Sequence, residues 1–470
     1  MAQKPESSTS HHILSRAAHN ITHHGLSVAV RIVFGLAILI AIGSSVLMLP
    51  GIAVGRMLTF NEAIFTSTSA LTVTGLSIIT PAADLTLFGK LVLLAMIQTG
   101  GVGFMFLAIV MLRLMGRQIY LRDRMALSSS LGLDSPDMIL TTLRRVLYGV
   151  LLVELLGAIL LGIHWTRYFP PLQAFSYGLF HSISAFCNAG FDLFSGAVDQ
   201  NGVPFDGIPT DTISLAIMGS IIWVGGLGIP VISELFELRK KRRLSLNVRV
   251  TLVVVIGLTL FGWLTIFLSE ALAGNQFADT SVGELITRSL FQSVSNRTAG
   301  FAGLPNFTAL HPTTVLVIIG MMFIGCAPAS MGGGITTGTF SVLLVSFGSY
   351  VRGHDRPTIS RRTLDETTIL RASAIVTLSI MLLVLVTWLL LLTHPQFTFE
   401  QALFEAVSAF ATCGLTLGVT GELNGFGRIL IMILMFWGRL GPLTLVIAVA
   451  QRNRRHKRLI QYPEEQILIG

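Results

Sequence analysis

Four glycines stand at near-constant intervals along this chain of 470 residues, and the backbone before each could do one kind of chemistry. Carbonyl oxygens converging from several chain segments can replace the water shell of a dehydrating cation. The glycines are Gly75, Gly190, Gly300 and Gly414, separated by 115, 110 and 114 residues. Each lies near the end of a copy of one motif: FTSTSALTVTGL (65–76), FHSISAFCNAGF (180–191), LFQSVSNRTAGF (290–301) and FEAVSAFATCGL (404–415). Glycine suits such a place because a β-carbon would obstruct a backbone with φ > 0 or the path beside it. A single copy reads as a small-residue patch where two helices pack closely. Four copies at one period read as four homologous units around an axis. Copy three is one residue shorter between Ser295 and Gly300 and brings Arg297 into the loop, so the expected ring is not perfectly symmetric.

The elements that must carry these loops follow from length and hydropathy. Each copy opens with a segment of roughly 12 residues, short of the ~20 that span a bilayer, which predicts a half-helix in the membrane. Thr59 and Thr398 are natural N-caps, with Glu62 and Glu400 in the first turn, and the negative C-terminal ends would face the membrane centre and favour a cation. Non-helical backbone at that depth is tolerated only where protein buries it or it lines a wet cavity. Spans are expected near 29–49, 86–112, 146–164, 212–235, 250–272, 313–347, 369–393 and 427–450. The predicted fold is therefore all-α and integral to the membrane: four tandem helix–pore loop–helix repeats, with eight spans and four re-entrant half-helices around one pore. The expected division is an N-terminal tail (1–28), repeats at 29–115, 142–238, 246–350 and 366–451, and a C-terminal tail (452–470).

Composition agrees: 52% of residues are hydrophobic and 12% charged, against about a quarter charged in soluble domains. Of the 32 Lys and Arg, 25 fall at the N-terminal end, in 113–146, 239–249 and 352–371, and in the C-terminal tail. By the positive-inside rule both termini are cytoplasmic and the motif loops enter from outside. The run RKKRR at 239–243 reads as a topology determinant beside anionic lipid headgroups rather than a nucleic-acid site. Asp84, Asp192, Asp199, Asp206, Asp211, Asp279 and Glu284 lie on the motif side, where an acidic mouth would concentrate cations. No secretory signal is evident in the polar first 28 residues. Cys187, Cys326 and Cys413 have neither disulfide-framework nor metal-ligand spacing. No nucleotide loop, HExxH or nucleophile–base pair is present, so no enzyme and no covalent cofactor is expected, and GGVGF and GGLGI read as glycine patches on membrane helices.

A second site stands in the sixth apolar segment, where GCAPASMGGGITTGT (325–339) holds five glycines and a proline and a continuous helix is implausible. Broken intramembrane helices mark ion paths or moving parts, so Gly332, Gly333 and Gly334 read as a flexible loop. Arg439, in WGRLGPLT (437–444), lies midway along an apolar run and must face the interior and find acceptors, which the carbonyls of that loop could supply.

The loops TVTG, CNAG, RTAG and ATCG, with QTGGVGF (98–104), WVGGLGIPVI (223–232) and WGRLGPLT, resemble the Trk/Ktr/HKT superfamily of potassium translocators, from about residue 29 to the end. The closing QYPEEQILIG, and no extra helix pair before the first span, look like the Ktr-type membrane subunit. The resemblance implies K⁺ as transported ion, because a glycine in all four loops goes with K⁺ selectivity there. It implies coordination by the backbone of Val73, Thr74, Asn188, Ala189, Thr298, Ala299, Thr412 and Cys413. It implies that the broken segment with Gly332, Gly333 and Gly334 is a gate under the filter, with Arg439 as its counterpart. Family members commonly carry Lys directly after GGGI, where this chain has Thr336, so a gating contact of that lysine does not carry over. A homodimer in the bacterial cytoplasmic membrane is implied, together with a cytoplasmic ring of Rossmann-type regulatory subunits binding ATP or ADP. Na⁺ stays open as substrate, coupling ion or activator. Two other classes remain in view, a secondary transporter, which usually shows two inverted repeats, and a non-transporting membrane anchor.

Overall fold

The computed structural model describes residues 28–103, 139–200, 202–241, 244–273, 281–354, 356–359 and 362–441. The expected tails 1–27 and 452–470, the basic stretch 113–138 and Asp279 lie outside the described residues. Among the described residues the chain is helical, apart from a small ribbon pairing Thr358–Ile359 with Arg362–Thr363.

One order of elements recurs: a long apolar helix, a short buried helix, an extended loop and a second helix. The long helices are α1 (Val28–Leu47), α4 (Ile139–Trp165), α8 (Leu246–Ala273) and α12 (Glu366–Thr393). The short ones are α2 (Phe60–Thr72), α5 (Pro171–Phe186), α9 (Val282–Ser295) and α13 (Phe399–Ala411). The second helices are α3 (Leu87–Gln98), the pair α6 (Thr212–Gly226) and α7 (Ile229–Lys241), the pair α10 (Pro312–Phe323) and α11 (Thr337–Val351), and α14 (Gly425–Leu440). Helix α4 starts at Ile139 and α7 runs to Lys241, slightly outside the expected 142–238.

Among the described residues three helices, Arg145–Trp165 within α4, α8 and α12, are long and apolar enough to cross a membrane alone. Their outer faces expose Leu152, Leu156, Leu260, Phe261, Val384 and Trp388 to about half or more of full extent. A soluble protein rarely exposes so large an apolar belt, whereas hydrocarbon solvates it. The short helices have the reverse character. From Phe65 to Thr72 every residue of α2 is buried although five of the eight are Ser or Thr. Two of their hydroxyls are satisfied within the helix, Thr68 donating to the Ile64 carbonyl and Thr72 to that of Thr68, both at 2.7 Å, and Ser67 donates to the Ile40 carbonyl on α1 at 2.9 Å. At 13 residues α2 rises only about 20 Å, so it enters a bilayer without crossing it. As expected, Thr59 and Thr398 cap α2 and α13, each in a reciprocal box completed by Glu62 and Gln401. Ser281 caps α9, and α5 instead starts with Pro171 in its first turn.

The second helices depart from the sequence expectation. Spans are expected at 86–112, 212–235 and 427–450, with GGVGF and GGLGI as glycine patches on membrane helices, and no break is expected in them. Instead α3 passes into a π turn at Thr99–Gly103, α6 and α7 meet at a bend of 102°, and α14 stops at Leu440 before Gly441. Close approach of the chains accompanies each departure. A β-carbon on Gly100, Gly225 or Gly438 would collide with the carbonyl oxygens of Leu71, Phe186 and Phe410 at the ends of the short helices. The break in the 313–347 segment, by contrast, was expected and spans the residues between α10 and α11. Residues 104–112 and 442–450 lie outside the described set.

Each second helix packs on the short helix of the following unit: α3 on α5, α6 on α9, α10 on α13, and α14 back on α2. The circuit closes, and the loops after the short helices occupy its middle.

Candidate functional site

The loop conformations repeat residue by residue. Two positions before each motif glycine stands a non-glycine residue with positive φ: Val73 (58°), Asn188 (57°), Thr298 (86°) and Thr412 (50°). For such side chains this region costs on the order of 1–3 kcal/mol per residue and persists only where the surroundings enforce it. The glycines themselves have φ of 93°, 69°, 76° and 93° in chain order. The motif serines enforce the turn. Ser69 and Ser408 accept the N–H of Gly75 and Gly414 at 3.0 and 3.1 Å. Ser184 and Ser295 act one residue further on, donating to the carbonyls of Phe191 and Phe301 at 3.0 and 2.6 Å.

The loops then close on one another. A β-carbon on Gly75 would strike the carbonyl oxygen of Ala189, one on Gly300 that of Cys413, and one on Gly414 that of Thr74. On Gly190 it would lie 3.0 Å from the Ala299 oxygen. Each glycine thus faces the carbonyl of the next unit, and four steps return to the start. Thr74, Ala189, Ala299 and Cys413 present their oxygens around one axis, and none of the four glycines has room for a side chain. Val73, Asn188, Thr298 and Thr412 are fully buried in the same loops. Arg297 does not join the ring: its guanidinium turns outward and donates to the Val255 carbonyl on α8 at 3.2 Å.

On one side the ring opens into a funnel of about 270 Å³ whose lining includes all four glycines, Asp192, Asp206 and Thr416. Asp192 accepts from the Phe194 and Ser195 N–H groups and the Ser195 hydroxyl at 2.6–2.9 Å, and pairs with His181 Nε2 at 3.0 Å. Burial pushes its pKa up, but these bonds outweigh burial and hold it below the ordinary carboxylate value, so the funnel wall is anionic at neutral pH. Of the acidic residues expected at the mouth, Asp192 and Asp206 line the funnel. Asp84 instead accepts the Thr80 N–H at 2.7 Å, Asp199 that of Val203 at 2.8 Å, and Asp211 caps α6.

On the other side lies the glycine-rich segment between α10 and α11. Ile324 and Ile335 form a parallel bridge at its neck. A β-carbon on Gly332 would collide with the Thr298 hydroxyl, and one on Gly333 would stand 2.5 Å from that of Thr412. Gly334 packs on Ala411. The segment therefore sits against the ring residues of units three and four. Arg439, also buried, donates to the Met331 carbonyl within it, to Gly100, and to Gly101 at 3.1 Å. Acceptors in the glycine loop were expected; Gly100 and Gly101, more than 330 residues away in the π turn, were not. Thr336 caps α11, accepting the Thr339 N–H at 3.4 Å. The three cysteines are free and buried.

Apolar helices of membrane length around four loops that close on one another define the class: an integral membrane protein of the cation-transporter type. The chain belongs to the TrkH family of cation transport proteins, whose family model matches residues 15–457. It is 33% identical over 436 residues to the Ktr system potassium uptake protein B of Bacillus subtilis (strain 168), covering 93% of this chain and 95% of that one. It is 30% identical over 442 residues to the potassium/sodium uptake protein NtpJ of Enterococcus hirae, covering 93% and 96%. The crystal structure of the potassium transporter TrkH from Vibrio parahaemolyticus has the same fold, with a TM-score of 0.69 at 19% identity over 92% of this chain and 87% of that one.

Proposed function

We propose that this chain takes up K⁺ across a bacterial cytoplasmic membrane through the axis of the four loops. The observation that carries the reading is the closed circuit in which each glycine faces the next unit's carbonyl. In this reading the backbone of Val73, Thr74, Asn188, Ala189, Thr298, Ala299, Thr412 and Cys413 takes over the ion's hydration, and Gly75, Gly190, Gly300 and Gly414 keep the path open. Four helix–loop–helix repeats with eight spans, both termini cytoplasmic, turn the anionic funnel outward. Asp192 and Asp206 then raise the local cation concentration.

The segment holding Gly332, Gly333 and Gly334 is the gate, and Arg439 is its latch. The backbone at Gly332 and Gly333 is seated on Thr298 and Thr412, and Arg439 ties the same segment to the π turn of unit one. Opening requires the guanidinium to release the Met331 carbonyl. Similarity to the potassium uptake protein B of a Ktr system supports a partner subunit, here taken to be a cytoplasmic nucleotide-binding ring on a homodimer, and similarity to a potassium/sodium uptake protein supports a role for Na⁺.

The test is flux of K⁺ and Na⁺ into liposomes holding the purified chain, beside Gly75→Ser. The wild type is expected to favour K⁺ and the variant to admit relatively more Na⁺. Equal selectivity in the two proteins would show that this loop does not face ions. Flux that appears only when a nucleotide-binding ring is added would assign opening to the partner.

A further inference from the structure

One helical turn before the motif serine, each short helix carries a polar residue at the same register: Thr66, His181, Gln292 and Glu405. All four are buried. Three of them reach across to the chain that leaves the ring. Glu405 accepts the hydroxyls of Thr416 and Thr420 at 2.8 and 2.5 Å. Gln292 accepts the Gly303 N–H at 2.8 Å and donates to the Asn296 side chain at 2.6 Å. His181 is anchored to the Tyr177 carbonyl at 2.8 Å through Nδ1, and its Nε2 meets Asp192 and the Leu193 N–H at 3.0 and 3.2 Å. In each case the partner lies two to six residues after the glycine, so the side chain ties the short helix to the outgoing strand behind the ring. Thr66 is the exception, its hydroxyl buried without a hydrogen-bond partner.

We infer that His181, Gln292 and Glu405 are positioning residues that set the radius of the carbonyl ring in units two, three and four, and so its preference among monovalent cations. Unit one has no such strut. This inference rests on the reading of the ring as an ion filter. A group of carbonyls discriminates ions by number and spacing, and spacing in an extended loop is only as stiff as what braces it. Glu405 is the clearest case because one carboxylate clasps two hydroxyls on a single outgoing strand, and a half-satisfied buried carboxylate is costly.

The experiment reads ion preference without the gate. Purified wild-type protein, Glu405→Leu, Glu405→Gln and Thr420→Val are titrated with K⁺ and with Na⁺, and the midpoint concentration for thermal stabilisation is taken for each ion. Gly75→Ser runs alongside as the probe of the ring itself. Glu405→Leu is expected to lower the K⁺ over Na⁺ preference by about 3- to 10-fold, the span of one buried hydrogen bond. Glu405→Gln, which keeps an acceptor and adds a donor for the second threonine, should recover most of it, and Thr420→Val should fall between. A general packing defect would lower stability with the ion ratio unchanged, and that result in a folded Glu405→Leu overturns the inference. Should Glu405→Leu not fold, an unchanged ratio in Thr420→Val overturns it equally. If Gly75→Ser moves the ratio and the Glu405 series does not, only the strut fails. If none moves it, or the wild type is not stabilised by K⁺, the filter reading falls and takes the strut with it.

Discussion

The four units agree closely at the ring and disagree just beyond it. At the ring, each contributes a positive-φ residue, an oxygen and a glycine at one register. One step along, the second helices are interrupted in four different ways: a π turn at Thr99–Gly103, a 102° bend between α6 and α7, a glycine-rich excursion between α10 and α11, and the stop at Leu440 beside Arg439. Coordination of a spherical ion asks for near-equivalent ligands on all sides, so similarity at the ring is what ligand geometry requires. A gate asks for something that can move from one side while the rest stays put, and equivalent breaks in all four units would leave no fixed frame. In the proposed reading the excursion of unit three and the arginine of unit four supply that asymmetry.

The largest effect that would break this comparison is expected from a side chain placed in the ring. We predict that Gly300→Ala, whose β-carbon would strike the Cys413 oxygen at a φ of 76°, lowers ion flux on the order of 100-fold or more. Gly283→Ala, in the first turn of α9 with open space around it, should leave flux unchanged. Wild-type conduction by Gly300→Ala would mean that ions do not pass through the ring.

Next in size is the asymmetric part. Arg439→Ala removes the tie between the Met331 carbonyl and the π turn, and basal flux is expected to rise about tenfold, the equivalent of ~1.4 kcal/mol of gate closure. Arg439→Lys should lie between, because an ammonium is a point charge and does not reproduce the guanidinium fork. A folded Arg439→Ala with wild-type basal flux would sink the latch, and loss of the folded protein in both variants would make Arg439 a structural tie.

Much of the ring was readable from sequence because its signal is local and repeated: a serine, a glycine and a period. The half-helix caps Thr59 and Thr398 were equally readable, since a cap and its partner lie within three residues. What escaped the sequence was contact between distant segments. Val73 and Thr412 are β-branched, and propensity argues against the left-handed conformation they adopt; only the surrounding loops impose it. The partners of Arg439 in the π turn come from the far end of the chain. The π turn at Thr99–Gly103 and the bend after Gly226 escape the sequence because a glycine pair tells of close packing without saying against what. The buried row at Thr66, His181, Gln292 and Glu405 had a usable signal: aligning the four copies on their serine puts a polar residue three places before it in every copy.

The smallest effect sharpens the comparison between units one and four at their entrances. Helices α2 and α13 use the same capping box, but α2 closes it with Glu62 and α13 with Gln401. Glu62 also pairs with Arg56 at 2.8 Å, and that hydrogen bond, with those from the Thr59 backbone and hydroxyl, outweighs partial burial and lowers its pKa to about 2. A folded-state pKa below the ordinary value means stability that is present above about pH 4.5 and is lost as pH falls toward 2. Arg56 is 43% exposed, so solvent screening keeps the pair's share small, under about 1 kcal/mol. Glu62→Gln should keep the box, as Gln401 does in α13, and remove the acid dependence. We predict that the melting temperature in detergent falls more steeply between pH 5 and pH 2.5 for the wild type than for Glu62→Gln, other carboxylates contributing equally to both. Identical slopes would mean that Arg56 and the capping bonds do not lower the Glu62 pKa, and that the two boxes differ in charge without differing in acid stability.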